Sequence, residues 1–187
     1  VAEWPFDNSL RSAEYRALNP VGRVPALELN GTVIWESGAI LEVLCEMFPD
    51  AGLGRAPGDK DRARDLTGIH FAETISQHSA ALTQQHIVLY EDAMRSPTVM
   101  QLEARRLGKC YDALEAELGE HWLPTGFSAA DVALGQALYM ARHFVPHDAH
   151  PKLTTWYDRL PARPAFQKAC PATPQLYQKE FYPAWVA

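Results

Sequence analysis

Asn30-Gly31 lies between two short β-rich runs, Ala26-Leu27-Glu28-Leu29 and Thr32-Val33-Ile34-Trp35, and nothing else in the chain narrows its fold as much. Asn-Gly supplies the two positive-φ positions of the tight turn whose twist matches the strands it joins. The two runs therefore read as a β-hairpin. Asn19-Pro20 and Gly22 break the chain ahead of it, Val24-Pro25 leads into it, and Glu36-Ser37-Gly38 ends it. From Ser37 the apolar residues Ile40, Leu41, Leu44, Met47 and Phe48 recur at helical spacing, and Ser37 is the expected helix cap. Cys45 adjoins that face and is expected to be a buried, inert thiol. Turn, hairpin and helix form one continuous unit, NPVGRVPALELNGTVIWESGAILEVL.

Upstream, Val1–Phe6 reads as a short strand closed by Pro5 and by Asp7-Asn8 turn chemistry. Ser12 caps a short helix through Leu18, which stops because a residue before proline avoids the helical region. Downstream, the turn-rich tract PDAGLGRAPGD places a linker at residues 50–58, between a domain at 1–49 and another at 59–187. Beyond it the sequence shows helices and no convincing strand. A long one is expected from Asp59 to about Met94, with Leu66, Ile69, Phe71, Ile75, Ala81, Leu82 and Val88 inward. The next runs from Pro97 to about Leu118, with Val99, Leu102, Leu107, Tyr111, Leu114 and Leu118 inward. Phe127-Ser128-Ala129-Ala130-Asp131-Val132 is a helix-start signature. Ser128 and Asp131 form a capping box, and Phe127 and Val132 stand where a hydrophobic staple would. The helix that follows is apolar enough for a domain core, Val132 included. Shorter helices follow at 150–160 and 162–169, and the aromatic tail Cys170–Ala187 is expected to pack back on the body.

The chain has 187 residues, is 47% hydrophobic and carries a net charge of −6, which argues against a nucleic-acid or anionic-membrane partner. Three cysteines without paired spacing are neither a disulfide framework nor a zinc site, and fit a reducing cytoplasm. No apolar run approaches membrane-spanning length. His143, His147 and His150 are close in sequence, but Pro146 interrupts them and no carboxylate or thiolate completes a set, so no metal is expected.

Two features carry chemistry. An X–Pro bond in a tight turn turns the backbone so that the Val24 N–H and C=O face outward, where an extended peptide could pair with them. Glu36-Ser37 opens a helix, and free N–H groups with a partial positive charge suit a carboxylate. Each also reads as ordinary structure, a strand-starting proline and a helix cap beside a solvent-facing acid. They stand twelve residues apart across one hairpin and together describe a site for a short zwitterionic peptide.

The same stretch resembles the second half of the thioredoxin-like domain of cytosolic glutathione transferases, whose pattern is Asn-Pro-x-Gly-Lys-Val-Pro, a hairpin, then Glu-Ser-x-Ala-Ile. FSAADVAL resembles that family's capping box and staple, and HPKLTTWYDRLPARPAF the stretch beyond it. The resemblance implies an α/β plus all-α architecture, with a thioredoxin-like N-terminal domain followed by an all-helical C-terminal domain. It implies that Val24 pairs with the cysteine of glutathione, with Pro25 cis. Glu36 and Ser37 would hold the γ-glutamyl end, and Arg23 would approach the glycine carboxylate. His70, Phe71 and Thr74 would line the site for a hydrophobic electrophile. It further implies a cytoplasmic, homodimeric detoxifying transferase with glutathione as co-substrate and no metal. A glutathione-dependent thiol oxidoreductase, dehalogenase or isomerase, or a non-catalytic assembly domain, occupies the same fold. The family places a strand, a helix and their loops, roughly 25 residues by typical element lengths, before the strand read at Val1. The N-terminal domain is thus expected to be incomplete, lacking that strand and helix. The residue that activates the thiol, whose identity sets the subclass, is expected upstream of Val1.

Overall fold

The computed structural model describes residues 8–169 and Phe181. The strand read at Val1–Phe6 and the tail other than Phe181 lie outside the described residues. The chain divides into two compact units, Val1–Gly54 and Arg55–Ala187.

In the first unit, helix α1 (Ala13–Leu18) begins where the Ser12 side chain accepts from Tyr15 N at 3.1 Å. It ends at Asn19, whose φ of −134° and ψ of 108° are extended, as a residue before proline requires. Strands β1 (Ala26–Leu29) and β2 (Thr32–Trp35) pair antiparallel from Ala26↔Trp35 to Leu29↔Thr32. Asn30 and Gly31 make the turn at φ 50° and 78°. Helix α2 (Ser37–Met47) starts differently from the sequence reading. Its N-cap is Glu36, at φ 78° and ψ 117°, with no side-chain cap hydrogen bond, and Ser37 is the first helical residue. No residue of α2 is buried: Ile40, Leu41 and Leu44 are half-buried, and Met47 and Phe48 are exposed. Cys45 is likewise half-buried, not buried as expected. Among the described residues the sheet has two strands, which offer this helix little surface to cover. Among the described residues of this unit only Tyr15 and Asn19 are buried.

The described part of the second unit is helical: α3 (Arg62–Thr83), α4 (Pro97–Glu117), α5 (Ala129–Ala141), α6 (Pro151–Arg159) and α7 (Pro164–Ala169). The long helix starts at Arg62 because the Asp59 carboxylate accepts from Asp61 N and holds the preceding residues in a turn. It runs on through a π-helical turn, Gln84–Val88, and stops there; Asp92–Met94 is a separate 3-10 turn. The core is built from Ile69, Ala72, Ile75 and Leu82 of α3, Leu107, Tyr111 and Leu114 of α4, Leu134, Ala137 and Leu138 of α5, and Leu153 and Trp156 of α6. Phe181 stacks on Phe144 at 5.5 Å between ring centroids and donates its N–H to the His143 carbonyl.

Six residues expected inward are not buried. Leu66, Phe71 and Ala81 are half-buried, and Val88, Val99 and Leu102 are exposed. Val132, read as core, is 42% exposed. The helical period explains the clearest of these. Leu102 falls about 140° around the helix from Leu107, off the stripe Ala104–Leu107–Tyr111–Leu114. Val132 falls about 200° from Leu134, on the far side of α5.

Candidate functional site

The open end of the hairpin gathers the residues that the sequence singled out. Ala26 and Trp35 are its last pair, so Pro25 and Glu36 are the next residues on the two sides. The Val24–Pro25 bond is cis. Arg23, Val24, Pro25, Glu36 and Ser37 are all exposed, Val24 to 59%. Among the described residues no acceptor meets the Val24 N–H. Across the hairpin mouth, α2 begins at Ser37, so the N-terminal end of this helix lies at the same end of the hairpin. Glu36 holds the positive φ that glycine tolerates and other residues rarely adopt, a conformation costing about 1–3 kcal/mol and found mostly at functional sites.

The chain before β1 is rigidly tied. The Tyr15 hydroxyl donates to the Arg23 carbonyl at 2.7 Å, and Asn19 Nδ2 donates to the same oxygen at 2.7 Å. Asn19 Oδ1 accepts from Val21 N at 3.0 Å. Gly22 sits at φ 67° with the Leu10 carbonyl oxygen 2.8 Å from where a Cβ would stand, so this turn admits glycine alone. The sequence reading missed Tyr15 and Asn19. A buried tyrosine on a six-residue helix beside an Asn-Pro stop was the available signal, because a buried hydroxyl or amide must find a partner.

On α3, His70 and Thr74 are exposed and Phe71 is half-buried. At spacings of three and four they share one side of the helix, away from the core stripe Asp65–Ile69–Ala72–Ile75. The α5 start is a closed polar knot. Ser128 N donates to Asp131 Oδ2 at 3.0 Å, and Ala130 N to Ser128 Oγ at 3.2 Å. Asp131 Oδ1 accepts from Trp122 N at 2.9 Å and Trp156 Nε1 at 2.8 Å. Asp65, 1% exposed, lies against the same helix start. Neither of its oxygens has a partner at hydrogen-bonding geometry. Burial raises its pKa, and the nearby Ser128 hydroxyl, Arg55, Arg62 and the Ala130 amide oppose that rise. This cluster supports the fold and faces no solvent.

The histidines have separate partners. His147 Nδ1 meets Thr154 Oγ1 at 2.9 Å, and His150 Nε2 meets Asp112 at 3.0 Å. Burial lowers the His147 pKa and raises that of the Cys110 thiol, which holds both neutral. Among the described residues no three His, Cys, Asp or Glu side chains are placed to hold a metal ion. No helix among them is long and apolar enough to cross a membrane.

Two family models match, that of the glutathione S-transferase N-terminal domain over residues 2–47 and that of its C-terminal domain over residues 97–159. A maleylacetoacetate isomerase of Pseudomonas aeruginosa is 33% identical over 167 residues, 87% of this chain and 77% of that protein. Glutathione S-transferase 3 of Zea mays is 29% identical over 88% of this chain and 78% of its own. Among solved structures, a sphingomonad glutathione S-transferase complexed with glutathione superposes with a TM-score of 0.73 at 27% identity, covering 85% of this chain and 78% of that one. With a thioredoxin-like N-terminal unit and a helical C-terminal unit in the order the family has them, this chain belongs to the glutathione S-transferase family.

Proposed function

We propose that this member of a glutathione-dependent enzyme family binds glutathione at the open end of the β1–β2 hairpin and adds the tripeptide's thiolate to a hydrophobic electrophile. One observation carries the reading: the exposed, unpaired Val24 amide and the N-terminus of α2 meet at one end of the hairpin. Val24 pairs its N–H and C=O with the cysteinyl residue as an added strand would. The Ser37 hydroxyl and the first amides of α2 take the γ-glutamyl carboxylate, Glu36 its α-amino group, and Arg23 the glycine carboxylate. The positive φ at Glu36 supports this assignment, because such backbone strain clusters at ligand sites. His70, Phe71 and Thr74 are assigned to the electrophile. A homodimer in the cytoplasm belongs to the same proposal.

The chemistry is nucleophilic. A free thiol has a pKa of about 8.5, and its thiolate attacks. Val24 and Pro25 orient the sulfur but offer it no side-chain donor, so a further group must favour the thiolate. The 33% identity to a maleylacetoacetate isomerase favours a second reading, in which the thiolate adds to a conjugated double bond and leaves again after rotation. Calorimetric titration with glutathione tests the site. Replacing Glu36 and Ser37 together by Ala should weaken binding at least about tenfold, the worth of one or two charge-assisted hydrogen bonds. Unchanged binding refutes the assignment. Turnover of an aryl halide against isomerisation of maleylacetoacetate separates the two chemistries.

A further inference from the structure

The Val24 amide is a main-chain group of the proposed site, and two buried side chains decide where it points. A trans peptide is a rigid plane in which C=O and N–H point in opposite directions. The plane joining Arg23 to Val24 carries the Arg23 carbonyl at one edge and the Val24 N–H at the other. That carbonyl accepts from both the Tyr15 hydroxyl and Asn19 Nδ2, each at 2.7 Å. A carbonyl oxygen has two lone pairs, and both are used. Tyr15 is 2% exposed and Asn19 3%, so neither donor trades its bond for water. The amide orientation of Asn19 is fixed as well. Its oxygen accepts from Val21 N at 3.0 Å, and a flipped amide would lose both contacts. The base beneath is closed by Asn19 N donating to Tyr15 O at 2.9 Å and Gly22 N donating to Asn19 O at 2.9 Å.

We infer that Tyr15 and Asn19 are positioning residues for ligand binding: by clamping the Arg23 carbonyl inward they aim the Val24 N–H outward at the peptide carbonyl of the ligand. The inference rests on the glutathione reading above and adds to it the device that holds the backbone donor in place. The buried hydroxyl and amide do not touch the ligand. Their effect is preorganisation, which lowers the ordering cost of binding and leaves the number of ligand contacts unchanged. Tyr15 is suited to this because its ring is buried while its one polar atom donates to the Arg23 carbonyl.

The test compares glutathione dissociation constants for the full-length protein by calorimetry, together with the 15N–1H shift of the Val24 amide on adding glutathione. Tyr15→Phe keeps the ring and removes one clamp. It should weaken binding about five- to tenfold, the worth of one hydrogen bond, and should shrink the glutathione-induced shift of the Val24 amide. The effect should fall on KM for glutathione and leave kcat within about twofold, because the contact is equal in ground and transition states. Asn19→Asp keeps the acceptor for Val21 and sets an anionic oxygen against the Arg23 carbonyl, so it should weaken binding further. If Asn19→Asp does not fold, Tyr15→Phe decides alone. A Tyr15→Phe protein with a lowered unfolding midpoint but unchanged dissociation constant and Val24 shift would overturn the inference and show a structural role only. Absence of glutathione binding by the unaltered protein would overturn the inference and the proposed function together. Loss of binding in the Glu36 and Ser37 variant with none in Tyr15→Phe would overturn the inference alone.

Discussion

Replacing Asp131 by Ala should be among the most damaging single changes in the helical unit, and its cost follows from the contacts. Asp131 is fully buried and accepts from three N–H donors, those of Ser128, Trp122 and the Trp156 indole, at 2.8–3.0 Å. Truncation removes the acceptor and leaves all three donors in the core. Each such orphan costs about 1–3 kcal/mol, and the buried charge that goes with the side chain refunds part of the total. A net loss of about 3–5 kcal/mol is expected, a large share of the ~5–15 kcal/mol that a domain has. Urea unfolding followed by far-ultraviolet circular dichroism measures it. Trp156→Phe removes one donor and should cost about 1 kcal/mol. In the Asp131→Ala background the same change should cost nothing or be mildly favourable, because it deletes an orphan. The cycle should therefore show a coupling of about 1 kcal/mol or more. Should Asp131→Ala fail to accumulate, Asp131→Asn retains one acceptor oxygen and serves the same cycle. A cost under about 1 kcal/mol, or equal costs of Trp156→Phe in both backgrounds, refutes the view that this carboxylate joins the loop, α5 and α6.

Asp65 gives a pH-dependent counterpart of opposite sign. Its folded pKa is raised, so between the model-peptide value of 3.8 and the folded value the native state binds more protons than the unfolded chain. Stability therefore falls as pH rises through that window, and above it the penalty is constant. Asp65→Asn removes the titration, so it should stabilise the protein at neutral pH, and the gain should shrink as pH is lowered toward 3.8. A stability difference that does not vary with pH speaks against it. Gly68→Ala tests the α3–α5 crossing. Its Cβ would stand 2.5 Å from Trp122 Nε1 and 2.6 Å from Ala130 Cβ, neither of them a flexible chain end. Overpacking of about 1–3 kcal/mol outweighs the helix preference of Ala over Gly, about 1 kcal/mol, so the unfolding midpoint should drop. A rise would mean that the helices separate without cost.

Where the sequence was readable, the signal was a chemical necessity carried by one or two residues. Asn30-Gly31 gave the turn because both positions need positive φ, and Ser128 with Asp131 gave the helix start because backbone donors there need acceptors. Apolar spacing was weaker evidence. It placed Leu107, Tyr111 and Leu114 correctly but also Leu102, which lies off their stripe, since periodicity marks a face without saying how wide its partner is. The helix boundaries at Arg62 and Val88 were missed because they are set by a local turn at residues 59–61 and by a π-helical turn, which residue preferences do not report. Ser37 was read as a cap from its residue type. The cap is Glu36 instead, and no propensity scale proposes glutamate at φ 78°.

That last miss bears on the site itself. A site lined by reactive side chains advertises itself in the sequence, whereas several of the proposed ligand contacts here are main chain: the Val24 amide and carbonyl and the first amides of α2. Side-chain identity says little about those contacts, unlike the ones assigned to Ser37, Glu36 and Arg23. The informative residues are those that force the backbone into place, namely Gly22 against the Leu10 carbonyl, Asn30-Gly31 in the turn, and Tyr15 and Asn19 on the Arg23 oxygen. Buried polar groups with a single backbone acceptor are therefore better guides to this hairpin's function than its exposed acids and bases. The arrangement also divides the work. In the proposed site the main-chain donors orient the tripeptide and a further group favours its thiolate, so the two effects are expected to separate on mutation.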